Sequence, residues 1–316
     1  MSKLLQIFIL SRDRAIFLKE SIDSAIDQSE SNYDYEIIVS DNSETDDVNE
    51  LVNEYYLKNN KITYVRRSLT LTASEHIQLV ISEINAQYAV IFHDDDILHP
   101  DYIKKMTPLL FDESITAVGC NAMIFNHKIT DSTQKTHIFN TIKKFNFKKE
   151  FLHQYLLGYG GVAPFSGYIY KADIIKKISF ESLISGKHLD VSFLASLLDY
   201  GSIAWLPDEL MYYRVHEQGD SATESIVDRL HLLKYMFSEG VDRKSKSVFL
   251  FRYLFWLNWI KQQGTFRSNV SKFNYRIVFK FLVMKSLSVI ISSYFWNLIL
   301  KKMKKILIKV YIKKTN

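Results

Sequence analysis

Three consecutive carboxylates, Asp94, Asp95 and Asp96, follow an apolar run at residues 88–92 that has the length and β-branched content of a buried strand. Adjacent anions repel one another, and beside a hydrophobic sheet each is partly desolvated, so a cation is needed to offset the cost. A divalent metal carrying a phosphorylated ligand meets that need, because hard oxygen ligands suit Mg or Mn. The plain alternative is a solvated acidic turn that caps the next helix, with Pro100 at its first position. The run by itself leaves both readings open.

Four other places carry residues that could do chemistry. Ser11-Arg12-Asp13-Arg14 is a polar loop after the first apolar run, and Asp41-Asn42-Ser43 follows the second. Asp190 stands at the start of an apolar helical stretch, and His216 at the end of a late strand. Each has an ordinary explanation as well. Asp41 and Ser43 could form only an Asx turn, Asp190 could be only an N-cap, His216 could be a strand-end histidine, and Arg12 and Arg14 could be solvated surface cations.

The elements that precede these loops decide between the readings. Residues 4–10, 36–39, 62–65 and 88–92 read as strands. Leu18, Ile22, Ala25 and Ile26, then Val48, Leu51, Val52 and Tyr55, then residues 74–84 supply the helices between them. Strand, loop and helix alternate three times in under a hundred residues, which predicts parallel βαβ units with right-handed crossovers. In open α/β sheets ligands collect outside the carboxyl ends of the strands. Ser11 to Arg14, Asp41 to Ser43 and His93 to Asp96 all fall at such ends, so the spacing predicts that they converge. Further on, residues 115–125 read as a long strand and 127–149 as a polar excursion. A strand over 162–170 contains Ser166-Gly167, a point of close backbone approach to a ligand or another strand. A helix opens at Lys187-His188-Leu189-Asp190, and residues 210–215 form a last strand.

The residues so placed resemble the family 2 glycosyltransferases over about 4–221. The first strand with Ser11-Arg12 and Leu18 is similar to that family's opening motif, and Ile37-Ile38-Val39-Ser40-Asp41-Asn42-Ser43 to its aspartate-bearing nucleotide loop. Phe92-His93-Asp94-Asp95-Asp96-Ile97-Leu98-His99-Pro100 resembles its aspartate-x-aspartate metal motif. Asp190 falls where the family places its catalytic base, and Tyr213-Arg214-Val215-His216 resembles the strand that closes the site. Two positions depart: many members carry an acidic residue where this chain has His93, and a glutamate where it has Leu189.

The resemblance implies an α/β protein of the nucleotide-diphosphosugar transferase (GT-A) fold, with a mostly parallel central sheet flanked by helices. Residues 1–110 would bind the nucleotide sugar and 111–221 the acceptor. Donor contacts are expected from Ser11, Arg12, Asp41, Ser43, Asp94 and Asp95, and a Mg or Mn ion from Asp94, Asp95 and Asp96, with His216 a further candidate. Asp190 would deprotonate the acceptor hydroxyl. The implied reaction is inverting transfer from a nucleotide-diphosphate sugar, UDP-linked by preference, to a lipid-linked saccharide acceptor, in building a surface polysaccharide such as O-antigen or capsule. A sugar-phosphate nucleotidyltransferase would instead carry a Gly-rich phosphate loop after the first strand, and Leu10-Ser11-Arg12-Asp13-Arg14 has no glycine. A membrane-attached binding protein with a decayed site would have no reason to keep three aspartates.

Composition frames the rest. The chain has 316 residues, 47% hydrophobic, enough for a sizeable core, and a single cysteine, Cys120, which excludes an internal disulfide framework. Residues 1–10 read as a first strand rather than a signal peptide. The net charge of +5 conceals an asymmetry. Residues 243–316 hold 17 Lys or Arg and no acidic residue, whereas 1–242 hold 23 basic and 35 acidic residues. Residues 286–300 are uncharged, shorter than the ~18 to 20 needed to span a bilayer. Ile299, Leu300, Met303, Ile306, Leu307 and Val310 keep helical spacing with lysines mostly opposite, the pattern of a helix lying on anionic lipid. Residues 222–316 are therefore expected to be a helical, basic, aromatic-rich region. It would dock peripherally on the cytoplasmic face of the membrane or pack on the catalytic part. Nucleic acid is not an expected partner, since no binding motif accompanies the charge.

Overall fold

The computed structural model describes residues 4–30, 33–68, 71–132, 134–157, 161–180, 185, 187–216, 226–242 and 300. Residues 1–152 and 158–239 form one compact unit, and 153–157 with 240–316 form another. The expectations for the basic region at 243–316 lie outside the described residues, Leu300 apart. No helix among the described residues is long and apolar enough to cross a membrane.

The first half of the larger unit follows the predicted alternation. It runs β1 Leu5–Ser11, α1 Ala15–Ile26, β2 Tyr35–Asp41, α2 Asp47–Tyr55, β3 Ile62–Arg66, α3 Ala73–Glu83 and β4 Tyr88–His93. The strands β1, β2 and β4 are near-continuous apolar runs because both faces of a parallel sheet are covered. Helix α1 turns Leu18, Ile22 and Ala25 onto that sheet. A capping box starts α3, where the Thr72 side chain accepts from the Glu75 N–H and Glu75 reaches back to the Thr72 N–H.

The second half adds β5 Ile97–Leu98, α4 Tyr102–Met106, β6 Ile115–Phe125, β7 Gln134–Lys135, β8 Lys143–Phe145 and α5 Lys148–Leu157. It continues with β9 Tyr168–Lys171, α6 Ala172–Ile175, α7 Leu189–Leu197, β10 Ser202–Arg214 and α8 Ile226–Ser238. The sheet order is β3-β2-β1-β4-β9-β6-β10-β5, with β7 on β6 and β8 on β10. Strands β1 to β4 pair in parallel, as do β6 and β10, while β9 runs antiparallel between β4 and β6.

Three differences from the sequence reading have physical causes. The stretch at 162–170 is mostly not strand: a 3-10 turn at Phe165–Gly167 precedes a four-residue β9. The close approach at Gly167 is to other strands, since a Cβ there would sit 2.7 Å from Met211 Sδ and 3.2 Å from Cys120 Sγ. The last strand begins at Ser202, eight residues early, and carries Pro207 within a register irregularity between Trp205 and Glu209, where a missing N–H does least harm to the ladder. The excursion at 127–149 is tied down by β7 and β8 rather than running free.

Candidate active site

Register brings the predicted loops together. Ser11 lies opposite Asp41, Leu10 opposite His93 and Asp41 opposite Arg66, so β1, β2, β3 and β4 all end at one level. A cleft of about 210 Å³ opens there, lined by Ser11, Arg14, Asn42, His93, Asp95 and His216 among others.

The three aspartates diverge at the end of β4. Asp94 turns back to β1: its Oδ2 accepts from Ser11 Oγ at 2.8 Å and from the Arg12 N–H at 3.3 Å, and Arg14 Nη2 stands 2.8 Å from its Oδ1. Burial pushes the Asp94 carboxyl up to about 7 against the pull of Arg14. Asp95 Oδ2 receives Arg14 Nη1 at 3.0 Å and lies 2.9 Å from His216 Nε2. Burial raises its pKa, but His93, Arg14 and His216 together outweigh that and hold it below the ordinary value. Asp96 faces the second half of the fold. Ser166 Oγ donates to its Oδ2 at 2.5 Å and the Arg214 N–H to its Oδ1 at 3.0 Å, and burial, reinforced by Asp95, lifts it to about 8.

The backbone of the run is pinned from two sides. Ser21 Oγ of α1 donates to the Asp96 carbonyl at 2.6 Å, and Arg214 Nε donates to the Asp95 carbonyl at 2.8 Å. The Arg214 guanidinium sits over the rings of Phe17 and Phe125 at 4.7 and 4.4 Å and pairs with Glu20, so the cation that closes the site is itself sandwiched.

Beside the run, the β2 loop is a network. Asp41 is buried; its Oδ1 accepts from the Ser43 N–H at 2.8 Å, forming an Asx turn, and its Oδ2 from Tyr64 OH at 2.6 Å and Arg66 Nη1 at 2.8 Å. Ser43 Oγ accepts from the Asp13 N–H at 2.8 Å, locking the first loop to the second. Asp13 holds a left-handed φ of 53° there and accepts from the Glu44 N–H. Arg12 contributes its backbone to Asp94, while its side chain pairs with Glu44 at 3.2 Å. On α3, His76 lies 2.7 Å from Ser40 Oγ, and burial with Arg67 nearby drives its pKa down to about 4, leaving it neutral.

Asp190 lies in the first turn of α7, whose N-cap is His188, so the cap reading fails. The apolar body of α7 positions it: Phe193 packs on Phe165, Tyr170 and Phe180 at centroid distances of 6.0, 5.8 and 5.2 Å, and Phe165 in turn lies 6.0 Å from the His93 ring. Burial raises the Asp190 carboxyl, opposed by His188, the Val191 N–H and His93. Asp190 therefore feels the same histidine that borders the aspartate run.

One group could hold a metal among the described residues: His93, Asp95 and Asp96 each offer a ligand atom, all within 4.8 Å of one another. Asp94 is not in that set, and His216 meets it through Asp95. The sequence points to Arg14, Ser166 and Arg214 only as parts of longer motifs, without their contacts to the aspartates, and gives no sign of Arg66 on Asp41. Arg14, three residues past the end of β1, is indistinguishable by sequence alone from a solvated cation.

The model of the family described as Glycosyl transferase family 2 matches residues 7–175. Abequosyltransferase RfbV of Salmonella typhimurium is 31% identical over 108 residues, 34% of this chain and 32% of that protein; the chain thus spans about a third of the length of the curated relative it matches. Among solved structures, S. aureus TarS 1-349 in complex with UDP-GlcNAc superposes with a TM-score of 0.60 at 13% identity, covering 87% of this chain and 77% of that one. Mannosyltransferase PcManGT from Pyrobaculum calidifontis, in complex with GDP-Man and Mn2+, gives 0.53 at 14% identity, covering 76% and 64%. These likenesses establish the GT-A fold expected from the sequence.

Proposed function

The chain belongs to glycosyl transferase family 2, and on that footing we propose that it is an inverting, metal-dependent glycosyltransferase. It moves a sugar from a nucleotide-diphosphate donor, UDP-linked by preference, to a hydroxyl of a saccharide acceptor on a lipid carrier, in the assembly of a surface polysaccharide at the inner face of the cell membrane. The observation that carries this reading is the meeting, at one cleft, of the β1 and β2 loops and the aspartate run, with Asp190 near enough to be influenced by His93 at the border of that run.

The residues divide the work by position. The β2 loop, with Asp41 held by Tyr64 and Arg66, faces the base and ribose, and Ser43 keeps the first loop against it. Arg14 places positive charge over Asp95 at the edge of the cleft, and His216 hydrogen-bonds to the same carboxylate, where a diphosphate would sit. The imidazole and two carboxylates of His93, Asp95 and Asp96 fit a divalent ion, which when bound would neutralise the charge of the departing diphosphate.

Asp190 takes the proton of the acceptor hydroxyl as that oxygen attacks the anomeric carbon. The bond from this carbon to the diphosphate oxygen breaks on the opposite face, the nucleoside diphosphate leaves with the electron pair, and the configuration inverts. Burial raises the Asp190 pKa, which makes it a better proton acceptor than a solvated aspartate. Asp190→Asn should lower kcat by about 10² to 10⁴, the usual share of a general base, with nucleotide-sugar binding retained in calorimetric titration. A variant that transfers sugar at the wild-type rate would sink the assignment.

A further inference from the structure

At the end of β4, the position that opens the acidic run holds an imidazole. His93 lines the cleft, its Nδ1 lies 3.9 Å from Asp96 Oδ2, and its ligand atom falls within 4.8 Å of those of Asp95 and Asp96. Asp94, which would complete an all-oxygen set, is turned the other way: one of its oxygens accepts from Ser11 and the other faces Arg14. The fold thus presents one nitrogen and two carboxylates to a metal where three consecutive aspartates would have promised only oxygen.

That difference has a chemical consequence. Mg and Ca are hard cations that take oxygen and gain little from imidazole, whereas Mn, Co and Zn accept mixed nitrogen and oxygen sets. A neutral imidazole in place of a carboxylate also removes one negative charge from the site, and Mg relies on that charge most.

We propose that His93 is a direct metal ligand and that it makes this site select Mn2+ and its softer neighbours over Mg2+. The inference rests on the metal-dependent reading above and narrows it to one class of ion. Phe165, 6.0 Å from the His93 ring, supplies an apolar wall beside the imidazole, and Ser166 next to it holds Asp96. Residues of the 3-10 turn at Phe165–Gly167 thus flank two of the three ligands.

The experiment uses the full chain with MnCl2 as probe. Loss of the free-Mn2+ electron paramagnetic resonance signal reports binding, MgCl2 competes, and pulsed measurement of the bound ion reports 14N coupling from a ligating imidazole. The wild type should bind Mn2+ with clear 14N coupling and resist Mg2+. His93→Ala should lose that coupling and weaken Mn2+ binding on the order of 10- to 100-fold, at least what loss of a group that merely supports a ligand costs. His93→Asp should bind both ions and narrow the Mn2+ to Mg2+ preference on the order of tenfold. Retention of 14N coupling in His93→Ala would make His216 the ligand and overturn the proposal, as would bound Mn2+ without 14N coupling in the wild type; both leave the transferase reading intact. A wild type that binds no Mn2+, alone or with UDP, would overturn the metal dependence itself and this inference with it.

Discussion

Replacing Arg14 by Ala should destabilise the protein by an amount that grows with pH. Arg14 Nη2 lies 2.8 Å from Asp94 Oδ1, and Nη1 lies 3.0 Å from Asp95 Oδ2. Asp94 is wholly buried, and that burial lifts its carboxyl from 3.8 to about 7 despite Arg14. A folded pKa above the unfolded one means that the native state keeps the proton longer. The stability Asp94 contributes is therefore complete below pH 3.8 and is lost as pH rises through about 7. Arg14 limits that loss, because it favours the ionised form. A pair of unit charges ~4 Å apart is worth about 4 kcal/mol at an effective dielectric of about 20. The Arg14 side chain is 27% exposed, so water screens the pair, and about 1 to 3 kcal/mol is the reasonable range. Urea denaturation should show that loss near pH 8.5, where Asp94 is ionised in the wild type, and a much smaller one near pH 5.5, where it is protonated in both proteins. At the lower pH only the contact with Asp95 is missing, and His93 and His216 remain beside that carboxylate. Arg14→Met, which keeps most of the apolar stem, should behave like the alanine variant. A loss of equal size at the two pH values, or its disappearance in the methionine variant, would refute the electrostatic account and leave packing of the stem as the cause.

Two other outcomes follow from the same structure and from the tail. Asp96 is raised to about 8, chiefly by burial, so by the same sign rule the metal-free protein loses stability as pH rises through that value. Asp96→Asn removes the titration, and by linkage it should unfold at higher urea than the wild type near pH 9, by a few kcal/mol at most. The two should converge near pH 4.5, and saturating Mn2+ should restore the wild type; a variant less stable across the whole range would contradict the pKa assignment. For residues 243–316, whose 17 basic residues face no acidic ones, flotation with anionic vesicles should carry the full chain and leave behind a chain truncated before Arg243. Attraction of about 1 kcal/mol per basic residue near the surface is ample for that, and equal flotation of both would remove the membrane from the proposed function.

What could be read from the sequence was what depends on near neighbours. Period and composition located β1 to β4 and the helices between them because each parallel strand is an apolar run bounded by polar loops. The meeting of Ser11, Asp41 and His93 then followed from topology alone. What escaped was whatever depended on a partner far along the chain. The long β10 was seen only after Pro207, because a proline inside a strand reads as a break unless a bulge absorbs it. Ser166 read as part of a tight turn; that its hydroxyl meets Asp96, 70 residues away, is a fact of sheet order. The direction in which each aspartate points was equally closed to spacing, since three adjacent residues in a turn face three ways.

Those directions also revise the premise that three adjacent anions demand an external cation. Each aspartate is answered by its own set of partners: Asp94 by the end of β1 and by Arg14, Asp95 by Arg14 and His216, Asp96 by Ser166 and the backbone of Arg214. Their carboxyls also separate, two raised to about 7 and about 8 and the one between them lowered. At neutral pH the run is accordingly closer to one full negative charge than to three, part of the repulsion being relieved by retained protons. If His93, Asp95 and Asp96 hold a metal as proposed, the ion would take the place of a proton on Asp96 and would compete with Arg14 and His216 for Asp95. Arg14 and His216, which meet Asp95 from two elements, would then be available at the edge of the cleft to a diphosphate of the donor.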